Sequence, residues 1–178
     1  MKRICVFCGA HTGNGQTFAR TAASTARAIV AAGHGIVYGG GRVGLMGILA
    51  DAALASGGNV IGVIPASLAN REIAHDTLTK LYVTEGMHER KLRMTELADA
   101  FLALPGGYGT MDELFEALTW RQLGLHNKPI AALNIAGYYD GLVQQIDRMV
   151  RDEFVNVPNR ELLWNVTSAD EFISRLSW

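Results

Sequence analysis

Between two apolar runs the chain reads Pro105-Gly106-Gly107-Tyr108-Gly109-Thr110-Met111-Asp112-Glu113. The run before this stretch, 100–104, predicts a buried strand, and the run after it, 111–125, predicts an amphipathic helix. A helix that starts at a glycine turn attracts anions, because its first N–H groups lack partners within the helix and its dipole is positive there. Glycine also lets the backbone come close to a ligand. We therefore expect an anion site at this turn, with the carboxylate of Glu113 at its edge.

The rest of the chain alternates predicted strands with predicted helices. Most of the strands are continuous apolar runs, as is typical of a sheet covered on both faces. The predicted strands are 3–8, 35–38, 59–64, 80–84, 100–104, 129–133 and 162–166. The predicted helices are 17–32, 45–56, 87–98, 111–125, 139–154 and a last one to Leu176 that starts at the capping box Ser168–Glu171. Residues 66–79 predict a long loop with a short helix.

This alternation predicts an α/β fold, a single Rossmann-like doubly wound domain over residues 1–178 with a mainly parallel sheet. Ligands of such sheets bind beyond the C-terminal ends of the strands. The first loop (residues 9–16), a second glycine turn near Gly39 and the turn at Pro105 all lie at that edge. We expect them to form one pocket.

Composition excludes several classes of protein. The 178 residues are 49% hydrophobic and 19% charged, which indicates a globular chain. The net charge is -1 and basic residues do not cluster, so we expect no nucleic-acid partner. No apolar run approaches the roughly 20 residues that span a bilayer, so we expect no membrane association. The apolar run after Arg3 ends by Gly9, which makes it too short for a signal peptide. We therefore expect a cytoplasmic protein.

The two cysteines, Cys5 and Cys8, have the C-x-x-C spacing of redox pairs. Such pairs normally lie at a helix N-terminus, whereas these lie inside the first predicted strand, where residues three apart point to opposite faces. We interpret them as buried core cysteines. The five histidines show no paired spacing, so no metal site is expected.

The second glycine turn, Gly39-x-Gly41-x-x-Gly44, matches the dinucleotide-binding fingerprint. The full fingerprint also requires an acidic residue at the end of the next strand, which here reads Ile61-Gly62-Val63-Ile64-Pro65. We therefore interpret Gly40, Gly41 and Gly44 as a tight backbone turn near a phosphate or a ribose.

Two charged residues, Arg90 and Lys91, interrupt the apolar stripe of the helix predicted over 87–98. One interpretation is that both side chains snorkel to solvent at the helix start. The other is that they point into the pocket and hold an anion, for which the planar fork of arginine is suited.

Thr110 and Glu113 also have two interpretations. Their spacing is that of a capping box, in which Thr110 accepts from the N–H of residue 113. A cap alone does not require the glycines that precede it. A carboxylate at a helix N-terminus should stay ionised near neutral pH, which suits an electrostatic or base role.

These motifs together resemble the LONELY GUY family of cytokinin-activating phosphoribohydrolases, proteins often mislabelled as lysine decarboxylases. The stretch 105–113 fits the family signature P-G-G-x-G-T-x-x-E, and Met87-His88-Glu89-Arg90-Lys91 fits its M-H-x-R-K segment. Shorter segments near residues 39–47, 71–73 and 119–124 also resemble the family, and the match runs from Cys8 to about Leu142. Met111-Asp112 departs mildly from the frequent Leu-Glu.

The resemblance implies hydrolysis of the N-glycosidic bond of N6-modified adenosine 5′-monophosphates, and of AMP, to free base and ribose 5-phosphate. Arg90 and Glu113 would be the catalytic pair, no cofactor would be required, and the protein would be a homodimer or a larger homo-oligomer with its pockets near the interface. The resemblance implies substrate contacts from a larger set of residues: Glu72, Met87, Lys91, Gly106, Gly107, Gly109, Thr110 and Thr119.

The chemistry of the residues agrees with that assignment. Glycosidic cleavage builds positive charge on the ribose, which an ionised Glu113 would stabilise. Arg90 keeps its proton and would act as an anchor. The rival hypothesis is a non-catalytic nucleotide or molybdenum-cofactor binding protein. Lysine decarboxylation ordinarily needs pyridoxal phosphate on a Schiff-base lysine, for which none of the lysines has suitable neighbours.

Overall fold

The computed structural model describes residues 1–69 and 74–178. Its centre is a seven-stranded sheet in the order β4-β3-β2-β1-β5-β6-β7. Every neighbouring pair of strands is parallel. The strands are β1 (Arg3–Phe7), β2 (Gly35–Tyr38), β3 (Val60–Pro65), β4 (Lys80–Thr84), β5 (Ala100–Ala103), β6 (Ile130–Leu133) and β7 (Leu163–Val166). The α/β doubly wound fold predicted from the sequence is confirmed.

Helices connect the strands and cover both faces of the sheet. They are α1 (Thr17–Ala31), α2 (Gly44–Ala55), α3 (Ala66–Leu68), α4 (Met87–Leu97), α5 (Tyr108–Gln122), α6 (Asp140–Arg151), α7 (Val157–Arg160) and α8 (Ala169–Ser174). A short turn, Ile135–Gly137, follows β6. Within the part of the chain described here, no helix is long and apolar enough to cross a membrane.

Alternation along the strands builds two apolar layers. Buried residues of α1, α2 and α8 pack on one face of the sheet. Buried residues of α4, α5 and α6 pack on the other. Cys8 belongs to the first layer and Cys5 to the second, so these free, buried cysteines do lie on opposite faces, as predicted. Burial raises the pKa of both thiols, which keeps them neutral.

The order of the strands reverses between β1 and β5, which are neighbours although they are distant in sequence. The connections leaving the two strands diverge there and leave a crevice at the C-terminal edge. The loop after β1 and the turn after β5 meet across it, and the N–H of Gly9 donates to the carbonyl of Pro105 at 3.1 Å. The fold therefore places the glycine-rich turn at the usual ligand position of a doubly wound sheet.

Several helix ends differ from the sequence prediction, and those of α5 and α6 differ by up to three residues. Helix α5 begins at Tyr108, three residues before the predicted start, with Gly107 as its N-cap and no side-chain cap. The capping interpretation of Thr110 is therefore wrong, because Thr110 already lies inside the helix. Helix α6 ends at Arg151, and Glu153, two residues later, has a left-handed φ of 65°. The Ser168 cap is confirmed, since its hydroxyl accepts from the N–H of Glu171.

Candidate active site

A cavity of about 580 Å³ opens at the reversal point between β1 and β5. Its wall combines the loop after β1, the second glycine turn with the start of α2, the turn before α5, and side chains of α1, α4 and the segment after β6. The described lining residues include Cys8, Gly9, Ala10, His11, Thr12, Gly13, Phe18, Gly39, Gly41, Leu45, Met46, Ile64, Leu68, Arg90, Pro105, Gly106, Gly107, Tyr108, Gly109, Thr110, Glu113 and Tyr138.

Arg90 reaches this cavity from the first turn of α4. Its side chain is buried, its Nε donates to the carbonyl of Val63 in β3 at 3.0 Å, and its Nη1 lies 2.7 Å from Oε1 of Glu113. A β-carbon at Gly39 would overlap the guanidinium, so the glycine there makes room for Arg90. The snorkelling interpretation of Arg90 is wrong, because its side chain is buried and lines the cavity.

Glu113 lies in the second turn of α5, and like Arg90 it is only 8% exposed. Burial raises the pKa of its carboxyl above the ordinary value, while the charge and hydrogen bond of Arg90 oppose that rise. The sequence predicted an ionised carboxylate from the helix terminus. In the structure it is the contact with Arg90 that favours the ionised form, against the cost of burial.

The turn before α5 presents free backbone donors. Within residues 1–69 and 74–178, the N–H groups of Gly107, Tyr108, Gly109 and Thr110 have no protein acceptor, and the first helical bond runs from Met111 to Gly107. A β-carbon at Gly107 or Gly109 would meet no described atom within 4 Å, and neither residue has a left-handed φ. Neither packing nor backbone conformation of the protein alone therefore requires glycine at these two positions.

Gly106 has a different role from its neighbours. A β-carbon there would overlap the side chain of Thr110, which is itself buried. The absence of a side chain at Gly106 lets the turn close onto α5, so this glycine is required by packing.

The second glycine turn shapes the wall opposite. Gly41 lines the cavity. Gly40 and Gly44 have φ values of 75° and 61°, and a β-carbon at Gly44 would overlap the carbonyl of Ala10. The N–H of Leu45 already donates to the carbonyl of Gly9 at 3.0 Å. The start of α2 is thus tied to the loop after β1, and its glycines serve tight packing.

Other predicted contact residues lie elsewhere. The cavity wall formed by the described residues does not include Met87, Lys91 or Thr119. Lys91 lies between α4 and α5, with its Nζ 3.1 Å from Asp112 and 3.0 Å from Glu116. Thr119 is exposed and its hydroxyl donates to the carbonyl of Phe115. Glu72 lies outside the described residues.

Sequence reasoning missed several lining residues. Phe18 and Tyr138 form an aromatic part of the wall, with their rings edge to face at 5.6 Å. The loop after β1 was predicted at this edge only as a whole. Nothing in the local pattern distinguishes Tyr138 from Tyr139, although only the first of these tyrosines faces the cavity.

Comparison with known proteins identifies the family. A family model described as "Possible lysine decarboxylase" matches residues 46–176. A probable cytokinin riboside 5′-monophosphate phosphoribohydrolase of Oryza sativa subsp. japonica, LOGL3, is 44% identical over 98% of this chain and 83% of its own length. The enzyme LOG1 of Arabidopsis thaliana is 43% identical over 98% of this chain and 82% of its own. The chain belongs to the LONELY GUY family. The resemblance drawn from the two long motifs is confirmed.

The fold of this LONELY GUY family member also occurs in solved structures of proteins that are less similar in sequence. The molybdenum cofactor carrier protein of Chlamydomonas reinhardtii superposes with a TM-score of 0.72 at 19% identity, over 97% of this chain and 93% of that one. The molybdenum cofactor binding protein of Rippkaea orientalis gives 0.71 at 23% identity, over 98% and 94%. At these identities the likeness concerns the fold alone.

Proposed function

We propose that this protein hydrolyses the N-glycosidic bond of N6-modified adenosine 5′-monophosphates, the cytokinin riboside 5′-monophosphates, and of AMP. The observation that carries the proposal is one cavity that contains both the buried Arg90–Glu113 pair and the N–H groups at the start of α5 that have no acceptor among the described residues. Relatives at 41–44% identity carry the corresponding name.

The 5′-phosphate would bind the N–H groups of residues 107–110, where the helix dipole also favours negative charge. Glu113 lies one turn further along α5, so a ribose held by its phosphate would lie close to the carboxylate. Cleavage of the C1′–N bond leaves positive charge on the ribose, and Glu113 would stabilise that charge or orient the attacking water.

Water supplies the hydroxyl at C1′ and the proton that leaves with the base, so the products are free base and ribose 5-phosphate. Arginine is a fixed positive charge in proteins, so no proton transfer is assigned to Arg90. Its contacts with Val63 and Glu113 fix the position of the carboxylate, which leaves Arg90 as an anchor and a stabiliser of charge.

The direct test is a product assay with purified protein on AMP, its N6-isopentenyl form and the unphosphorylated riboside. We expect free base and ribose 5-phosphate from both monophosphates and much less base from the riboside. A protein that binds AMP and releases no adenine would instead be the non-catalytic nucleotide or cofactor carrier, and would contradict the proposal.

Replacing Gly109 with alanine should separate phosphate binding from folding. The new methyl group faces open space and alanine is the better helix former, so stability should stay equal or rise by up to about 1 kcal/mol. The same methyl group would lie where the phosphate approaches, so KM for AMP should rise at least about tenfold. Thermal unfolding and steady-state kinetics measure the two effects.

Gly141→Ala is the matched control for this change. Gly141 is likewise the second residue of its helix, α6, and a β-carbon there also meets no described atom within 4 Å. It does not belong to the described cavity wall. Equal KM values for the two variants would place the phosphate away from α5.

The pH dependence of the reaction should report Glu113. Because burial raises the pKa of this carboxyl, kcat/KM should fall with decreasing pH at a midpoint above about 4.3, the ordinary value for glutamate. The native protein takes up this proton more readily than the unfolded chain, so Glu113 itself does not drive acid unfolding. Kinetics from pH 4 to pH 8, with circular dichroism as a check on folding, measure the midpoint. A rate that stays constant down to pH 4.3 would contradict the assignment.

The remaining properties stay predictions. We infer a homodimer, or a larger homo-oligomer, with the cavities near the interface. Exposed apolar side chains of β4 and α4, at Val83, Met87 and Leu92, support an interface on that side of the molecule. The cytoplasmic location expected from the sequence is likewise a prediction.

A further inference from the structure

The segment after β6 has a backbone shape that local sequence does not favour. Ala136 and Gly137 are both left-handed, with φ values of 53° and 71°. A left-handed alanine costs free energy, because its β-carbon crowds the following carbonyl. The side chain of Asn134 holds the turn, since its Oδ1 accepts from the N–H of Tyr139 at 2.8 Å and its Nδ2 donates to Asp140 at 2.7 Å.

This turn places Tyr138 over the glycine-rich stretch. Its ring lies edge to face with Phe18 at 5.6 Å and with Tyr139 at 5.1 Å, which fixes the position of the ring. Its hydroxyl donates to the carbonyl of Gly106 at 2.5 Å. The turn at Ala136 costs free energy, and it places the Tyr138 hydroxyl in a hydrogen bond with the peptide that joins Gly106 to Gly107.

No other hydrogen bond from the described residues is made to that peptide. Within the described residues the N–H of Gly107 has no acceptor, and a β-carbon at Gly107 would meet no atom within 4 Å. In a trans peptide the N–H points opposite to the carbonyl. The bond from Tyr138 to the Gly106 carbonyl thus also determines the direction of the Gly107 N–H, which points away from the tyrosine hydroxyl.

We propose that Tyr138 is a positioning residue for the substrate phosphate, holding the Gly106–Gly107 peptide so that the Gly107 N–H joins the donors at the start of α5. This inference rests on the proposed function, since it concerns the same phosphate site. It adds a residue that acts through the backbone and that belongs to neither of the long sequence motifs.

The test compares Tyr138→Phe with the wild type by calorimetric titration of ribose 5-phosphate and by kinetics on AMP and adenosine. Loss of one neutral hydrogen bond should weaken ribose 5-phosphate binding about 3- to 10-fold and raise KM for AMP by the same factor. The value of kcat for AMP and the slow hydrolysis of adenosine, which has no phosphate, should change little. The phenylalanine keeps the ring, so packing against Phe18 is preserved.

Tyr139→Phe is the matched control. The Tyr139 hydroxyl donates to the carbonyl of Leu104 at 2.7 Å, close to the same turn, but its ring is buried outside the described wall of the main cavity. This variant should lose thermal stability and bind ribose 5-phosphate as the wild type does. A merely structural Tyr138 would behave in the same way.

Three outcomes decide the matter. Wild-type affinity for ribose 5-phosphate in Tyr138→Phe, with AMP still hydrolysed, would overturn the role of Tyr138 and leave the proposed function intact. Equal losses on AMP and adenosine would also overturn it, because the effect would then not pass through the phosphate. A wild type that binds ribose 5-phosphate through Tyr138 without releasing base from AMP would support Tyr138 and contradict the proposed function.

Discussion

Replacing Glu113 with glutamine is expected to abolish release of free base from N6-isopentenyladenosine monophosphate, with a loss in kcat of about 10³-fold or more. Glutamine has the shape of glutamate and still accepts a hydrogen bond from Arg90, so the site should keep its geometry. It carries no charge, and so it cannot stabilise the positive ribose of the transition state. The measurement is single-turnover release of base, with thermal unfolding to show that the variant is folded.

Glu116→Gln is the control for this variant. Glu116 lies almost one turn further along α5, also pairs with a cation, Lys91, and lies outside the described cavity wall. Its replacement should leave kcat within a few-fold of the wild type. A folded Glu113→Gln protein with near wild-type turnover would refute the mechanism, whatever the family of the chain.

The second large effect is expected from Arg90→Ala, which should lower both activity and stability. The change removes the cation that opposes the raised pKa of Glu113 and leaves the carboxyl buried without its partner. The free energy of unfolding should fall by about 3–5 kcal/mol, as for other broken buried pairs. The transition state should lose about 2–5 kcal/mol, and the acid limb of the pH profile should move to higher pH.

Two further variants make this prediction specific. Arg93→Ala removes an exposed arginine of the same helix that pairs with Glu96, and it should change the unfolding free energy by less than about 1 kcal/mol. The double variant Arg90→Ala/Glu113→Gln should regain part of the stability, because no unpaired carboxylate remains, but none of the activity. Additive losses in the double variant would show that the two residues act independently.

The local sequence pattern was sufficient to predict the bounds of some strands. The bounds of β2 and β4 were predicted to the residue, because each is a short run closed by glycine or by charged and polar residues. Helix α5 was misplaced by three residues because Tyr108-Gly109-Thr110 looks like a loop, although its backbone is already helical. Propensity is a weak guide where the chain presents its backbone to a ligand.

Some residues of the candidate site could be predicted from the sequence, and others could not. The two long motifs identified Arg90 and Glu113, and the sheet order brings both to one cavity. Lys91 could not be placed in advance, because its partners Asp112 and Glu116 lie on another helix and only the packing of α4 on α5 decides that contact. Tyr138 could not be found because its role depends on the left-handed turn at Ala136, which no residue type in that segment indicates.

The position of the cavity at the reversal of strand order also affects when the protein becomes able to bind. Its lining includes Gly9 in the loop after β1, Gly39 in the second glycine turn, and the turn at Pro105, whose carbonyl accepts from the N–H of Gly9. During synthesis, a nascent chain that stops before β5 lacks the turn at Pro105 and the start of α5, where we propose that the phosphate binds. On that proposal, nucleotide can bind only after α5 has been made and packed, and it then contacts segments of the chain that are made at different times.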